Sequence, residues 1–120
     1  MESKERTDPI FLVFGLVKNK ENEELILAIK NKELKPPGRQ YMPLEDEKLA
    51  LKVELNGLGI ETSIRNYRVR GRKTIQIDGE KKAVSVLDIG NYSGETPKES
   101  KYVWVKEGEV PLLDYFPKMN

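Results

Sequence analysis

"PPGRQYMPLEDEKLALKVELNGLGIE", residues Pro36 to Glu61, is the stretch on which the fold turns. Pro36, Pro37 and Pro43 bar helix and central strand from "KELKPPGRQYMP", which is read as a structured loop. From about Glu45 to Leu58 the apolar spacing becomes helical, and Gly57 and Gly59 supply its end signal. On a helical projection Lys48, Lys52 and Asn56 form one narrow polar stripe. Leu49, Ala50 and Val53 lie on one side of it, and Leu51, Leu55 and Leu58 on the other. A helix apolar over so much of its circumference is expected to be buried on two sides. Glu45, Asp46 and Glu47 suit its first turn, where acids complement the helix dipole.

Outward from this helix the pattern is β. "IFLVFGLVK" (Ile10–Lys18) and "LILAIKN" (Leu25–Asn31) read as strands paired in a hairpin across the polar turn "NKENEE". Ser63–Arg70, Lys73–Ile77 and Ala83–Ile89 are strand-like, with Asp78-Gly79 a hairpin signal between the last two. "GNYSGETPKES" is a loop, "KYVWV" (Lys101–Val105) a further strand, and Glu109–Phe116 a short helix or turn with apolar anchors. The order β-β-loop-α-β-β-β-loop-β-α predicts an α+β fold with a mixed or antiparallel sheet. Residues 1–8 read as a disordered lead-in, and 9–120 as one domain.

Composition narrows the chemistry. Twenty-one basic and 20 acidic residues nearly cancel in a chain of 120, which gives no global reason to expect nucleic acid or an anionic membrane. No apolar run spans a bilayer and the first residues lack an apolar signal core, so the reading is soluble and cytoplasmic. Cysteine and histidine are both absent. That excludes thiolate nucleophiles, disulfides, a Ser-His-Asp triad and the usual zinc sites. Carboxylate and carbonyl oxygens remain, and these favour hard cations such as Mg²⁺ or Mn²⁺. Abundant Lys and Glu without Cys also fits a heat-adapted source.

Gly38 and Gly59-Ile60, with 20 residues between the two glycines, stand at the spacing of a known motif. The opening hairpin, the Pro-Pro-Gly turn, the Trp strand "KYVWV" and the following "KEGEVPLLDYFP" flank it in a matching order. In these features the chain resembles the Nudix hydrolases, MutT-like proteins that cleave nucleoside diphosphates linked to another group. The resemblance implies an α/β/α sandwich around a mixed sheet, a nucleotide or diphosphate ligand, Mg²⁺ or Mn²⁺ if the protein is active, and frequent homodimerisation. The chemistry departs from that pattern. Without a gap, Leu44 stands for the motif's first Glu, Lys52 for Arg, Val53 for the next Glu, and Asn56-Gly57 for the Glu-Glu pair. A one-residue slip recovers Glu45 and Glu54 but not the pair. Glu47 and Glu54 lie two turns apart, roughly 10 Å along the axis. That is too far to share one ion held at about 2.1 Å per ligand.

The candidates follow. Glu45 and Glu54 are the catalytic residues if the protein is active, and Glu45, Glu47, Glu54, Glu95 and Glu99 are the candidate metal ligands. Gly38, Arg39, Arg68 and Arg70 are candidates for ligand binding. The Arg65–Lys73 segment, with Tyr67 interleaved, is the one basic cluster and offers an RNA-binding alternative. Trp104, Phe14 and Phe11 serve either a stacked base or the core. Two functions stand against each other: a nucleotide-binding or regulatory module with a degenerate catalytic motif, and a divergent Mg²⁺-dependent diphosphatase.

Overall fold

The computed structural model describes residues 9–22, 25–29, 34–77, 79–93 and 102–116. The expected lead-in 1–8, Glu95 and Glu99 lie outside them. Among the described residues eight strands form, β1 (Ile10–Leu16), β2 (Leu25–Ile29), β3 (Gly38–Tyr41), β4 (Glu61–Thr62), β5 (Arg68–Ile77), β6 (Glu80–Asp88), β7 (Tyr92–Ser93) and β8 (Tyr102–Lys106), with one α-helix, α1 (Glu47–Gly57). The main sheet runs β3-β1-β6-β5, and β2-β8 and β4-β7 form two smaller ribbons. β1 lies parallel to β6, from Ile10 opposite Lys82 to Leu16 opposite Asp88, while β3 and β5 run antiparallel at the edges.

β1 is apolar on both sides because it is covered on both sides. Val13 and Val17 enter one core with Leu51 and Leu55 of α1. Phe14 and Leu16 enter a second core with Val110, Leu112, Leu113 and Phe116 of the C-terminal segment. A mixed sheet between α1 and that segment is the expected α/β/α arrangement. The C-terminal layer is two short 3₁₀ turns, Glu107–Glu109 and Pro111–Tyr115, rather than an α-helix.

Four expectations change. β1 and β2 meet only at their ends, through Lys18 and Ile26 and the Leu27 N–H donated to Val17 O, while β2 pairs along its length with β8. The proline-rich loop contains edge strand β3, because Gly38–Tyr41 carries no proline and Pro37 and Pro43 fall outside it. Ser63–Arg70 is a 3₁₀ turn, Ile64–Asn66, that precedes the single long strand β5. Finally, α1 is buried on one side only. Ala50, Leu51 and Leu55 pack inward, whereas Leu49 is 50% and Val53 59% exposed. The sheet offers one face to the helix, and no described element covers the other.

Candidate functional site

The frame of the motif is built from structural necessities. Gly38 pairs with Phe14 across β1–β3, and a Cβ there would collide with the Val13 carbonyl oxygen and stand 2.5 Å from the Phe14 ring. Only glycine lets the two backbones approach this closely. Beside it, the Pro37 carbonyl accepts a 2.8 Å hydrogen bond from Gly15 N–H. At the far end of α1, Ile60 N–H bonds to Leu55 O and Gly59 N–H to Asn56 O, with Gly59 at φ 82°. This is a Schellman close, and it accounts for Gly59-Ile60 without any ligand.

Most of the polar groups at the start of α1 are likewise engaged within the chain. Glu45 accepts the Met42 N–H at 2.7 Å and closes the turn before the helix. Asp46 caps the helix by accepting Lys48 N–H at 2.8 Å. Glu47 points inward, where it accepts from Tyr41 Oη at 3.2 Å and from Nε of Arg72 at 3.1 Å, with the Arg72 Nη2 forming the ion pair. Burial alone would push the Glu47 carboxyl up. Hydrogen bonds from Arg72 and Ser85 and the Arg72 charge outweigh it and hold the group below its ordinary value of 4.5. Burial pushes the neighbouring Tyr41 phenol above 10.0. Lys52, at the motif's Arg position, donates to Thr62 O at 2.6 Å.

What faces solvent from α1 is Leu49, Val53, Asn56 and Gly57. Among the described residues no group of three His, Cys, Asp or Glu side chains gathers to hold a metal ion. The donor set that the motif's metal would require is therefore not met by these residues. Glu54 is half-buried and makes no hydrogen bond or ion pair with a described residue.

The basic segment is divided by a β-bulge. Register against β6 shifts between Val69 and Gly71, so Arg70 is the extra residue. Without the bulge, Arg70 and Arg72 would share a face. With it, Arg70 turns toward the C-terminal layer and Arg72, opposite Ser85, toward α1. Arg70 is buried, donates from Nε to Phe116 O at 2.7 Å, and forks onto both Glu107 carboxylate oxygens at 3.1 and 2.5 Å. Its guanidinium ties the C-terminal turns to the sheet. Arg39 donates to the adjacent Gln40 O at 3.3 Å, and Arg65 and Arg68 are exposed. Lys73 lies over the Phe116 ring, 5.9 Å from its centroid. Phe14 is core, Phe11 packs edge-on against Tyr41, and Trp104 is partly buried against the α1 core.

A second region was not singled out from the sequence. At the carboxyl ends of parallel β1 and β6 lies a cavity of about 590 Å³ lined by Leu16, Lys18, Asn19, Lys20, Asp88, Ile89, Gly90, Asn91 and Tyr92. A smaller hollow of about 400 Å³ adjoins it, sharing Asn91 and Tyr92 and adding Glu61, Thr62, Ser63 and Ser93. Gly90 at φ 77° turns the chain out of β6 where a Cβ would press on Asn66 at 3.2 Å. Asn19 Oδ1 orders the facing turn by accepting Glu21 and Asn22 N–H groups. Lys20 Nζ sits 4.5 Å over the Tyr92 ring. In the same wall, Asp88 Oδ1 and Tyr92 Oη are buried without a hydrogen-bond partner. The turn signals Asn19 and Gly90-Asn91, each closing a strand, were the only sequence sign of this place.

No protein-family model matches the chain, and no curated protein sequence does. Solved structures do match. A MutT Nudix hydrolase from Burkholderia pseudomallei aligns with a TM-score of 0.66 at 19% identity, over 87% of this chain and 88% of that one. The MutT protein of Methanosarcina mazei aligns at 0.64 and 18% identity, over 93% and 94%. A Nudix hydrolase from Nitrosomonas europaea aligns at 0.66 and 12% identity, over 93% and 82%. Identities this low speak to architecture alone, and by architecture the chain has the Nudix fold of the MutT proteins.

Proposed function

We propose that this protein is a Nudix-fold module that binds a nucleotide or another diphosphate-containing small molecule without the metal-assisted hydrolysis of conventional Nudix enzymes. The observation that carries this reading is the solvent face of α1. Where clustered carboxylates would hold the metal against a diphosphate, it offers Val53, Asn56 and Gly57, and Glu47 is turned inward onto Arg72. The cavity at the ends of β1 and β6 supports the binding half of the proposal. Its size falls within the usual range of small-molecule sites, about 300–1,000 Å³.

One observation favours a second reading, a divergent Mg²⁺-dependent diphosphatase. Glu54 has no described partner and is available as a ligand, with Glu95 and Glu99 as its prospective companions. A panel of nucleoside triphosphates, dinucleoside polyphosphates and nucleotide sugars, incubated with Mg²⁺ or Mn²⁺ at alkaline pH, separates the two. The binding module shows ligand-induced thermal shifts and no turnover. Turnover abolished by Glu54→Gln would establish the enzyme instead.

The Arg65–Lys73 segment is less suited to RNA than its composition suggests. Arg70 and Arg72, two of its strongest cations, are committed to Glu107 and Glu47. No helix among the described residues is long and apolar enough to cross a membrane.

A further inference from the structure

We infer that the cavity at the ends of β1 and β6 is a site for a small neutral polyhydroxyl compound, a sugar or cyclic polyol without phosphate, held by Asp88, Asn91, Tyr92 and Lys18. This goes beyond the nucleotide reading above: it concerns what the cavity wall itself selects, and it requires neither a phosphate nor a metal.

Two oxygens set the problem. Asp88 Oδ1 and Tyr92 Oη are sealed from solvent without a hydrogen-bond partner, and both residues line the cavity. Buried polar atoms are ordinarily paired, and each one left alone raises the energy of the ligand-free protein. The Asp88 carboxylate only accepts, whereas the Tyr92 phenol both donates and accepts. A ligand has to bring at least one N–H or O–H group to this part of the wall.

The rest of the lining is of mixed polarity. The Asn91 side chain makes no hydrogen bond with a described residue, so its amide offers both donors and an acceptor. Lys18 forms no ion pair with a described residue and offers donors only. Asn19 spends its Oδ1 on the Glu21 and Asn22 N–H groups, which leaves its amide nitrogen as a donor. Lys20 plays no part, since it lies over the Tyr92 ring and has contacts of its own. Leu16 and Ile89, both core residues, supply the apolar share of the lining.

The ligand class follows by elimination. A fully ionised anion engages Lys18 and the amides but has no hydrogen to give Asp88. An ammonium compound satisfies Asp88 but sets its charge against Lys18. Neighbouring hydroxyls meet both demands, because each one donates once and accepts as well. The C–H edges between them suit Leu16 and Ile89.

The wall is also held in place. Lys18 follows β1 and Asp88 ends β6, adjacent parallel strands paired up to Leu16 and Asp88. The Asn19 side chain orders one turn, and Gly90 at positive φ makes the other. Groups fixed on such a frame lose little freedom when a ligand arrives.

The test uses the full chain, labelled with ¹⁵N, and D-ribose, D-glucose and myo-inositol as probes. At least one should shift the amide signals of Asn19, Gly90, Asn91 and Tyr92, with equal affinity at low and high salt because the probe carries no charge. Asp88→Ala should weaken that probe about tenfold and Asn91→Ala severalfold. Tyr92→Phe should weaken it severalfold while raising the thermal midpoint of the ligand-free protein, a gain that excludes misfolding as the cause of weaker binding. Neither pyrophosphate nor ADP should displace the probe. The inference is overturned if no probe moves these signals, if the three substitutions leave the affinity unchanged, or if pyrophosphate or ADP displaces the probe. Each of those outcomes leaves the nucleotide reading standing, and a protein that binds a polyol here but no nucleotide anywhere sinks that reading alone.

Discussion

The segment Gly38–Ile60 and the cavity at the ends of β1 and β6 differ in how most of their polar groups are partnered, Glu54 being the exception in the first. Along the first, Glu45, Asp46, Glu47 and Lys52 each find a partner in the chain, and the two glycines answer to backbone packing and helix closure. In the second, an acid and a phenol are buried without partners beside two lysines. A polar group satisfied within the fold contributes to stability. One left unsatisfied costs stability, and functional sites are where folds carry such costs. The proposed function follows this difference: it reads the motif-like segment chiefly as scaffold and the cavity as the place to look for a ligand.

The largest effect expected is at Gly38. Gly38→Ala forces a methyl group against the Val13 carbonyl and should cost about 3 kcal/mol in urea denaturation. An unchanged midpoint would mean that Gly38 is not needed for packing, and that its place in the motif has another cause.

Arg72→Ala comes next. It leaves Glu47 partly buried and unpaired, at a cost of about 1–2 kcal/mol, kept modest because the arginine itself is 59% exposed. Its pH dependence carries a sign. The folded-state value of Glu47 is depressed, so its contribution is complete above the ordinary 4.5 and is lost as the pH falls through the lower folded value. In Arg72→Ala burial is opposed only by the Ser85 and Tyr41 hydrogen bonds, and this acid-side loss should shrink or reverse. Denaturation curves between about pH 3 and 7 measure it. Identical pH profiles for the two proteins would contradict the role given to the pair.

Tyr92→Phe sharpens the other side of the comparison. Removing an unpartnered buried hydroxyl should stabilise the ligand-free protein by about 1 kcal/mol. A loss of similar size would show that the phenol already has a structural partner, and the contrast between the regions would fail there.

The smallest effect on stability is expected from adding carboxylates to the exposed face of α1. Val53→Glu, Asn56→Glu and Gly57→Glu together should change stability by no more than about 1 kcal/mol, because all three positions are open to solvent. The same variant should bind Mn²⁺ more tightly than wild type, read by calorimetry. Failure to do so would indicate that the frame itself, and not only its side chains, is unsuited to a metal.

Much of this fold was legible. The continuous apolar run of β1, the Asp78-Gly79 hairpin signal and the helical run to Gly59 are local signals, and each element forms near its expected bounds. What was not legible depends on which elements meet. The partner of β2 lies more than 70 residues away in β8, and no local pattern names it. The bulge at Arg70 reverses which face the neighbouring arginines take, and the alternation of charges alone suggested a single basic face. Leu49 and Val53 look like core on a projection, but the sheet has one surface to give α1 and Leu51 and Leu55 occupy it. The cavity joins residues 16–20 to residues 88–92, two stretches read separately as a strand end with its turn and as a strand end with its loop. The carboxylate gap on α1, by contrast, was visible directly, since it is a matter of which letters stand at which spacing.

The central claim is that ligand binding here is independent of the metal chemistry that the fold commonly frames. It is tested most directly by titrating ADP into the wild-type protein with Mg²⁺ present and again with EDTA, while following phosphate release. The account predicts equal affinity in both titrations and no release. Binding that vanishes with EDTA, accompanied by Mg²⁺-dependent release that Glu54→Gln abolishes, would contradict it.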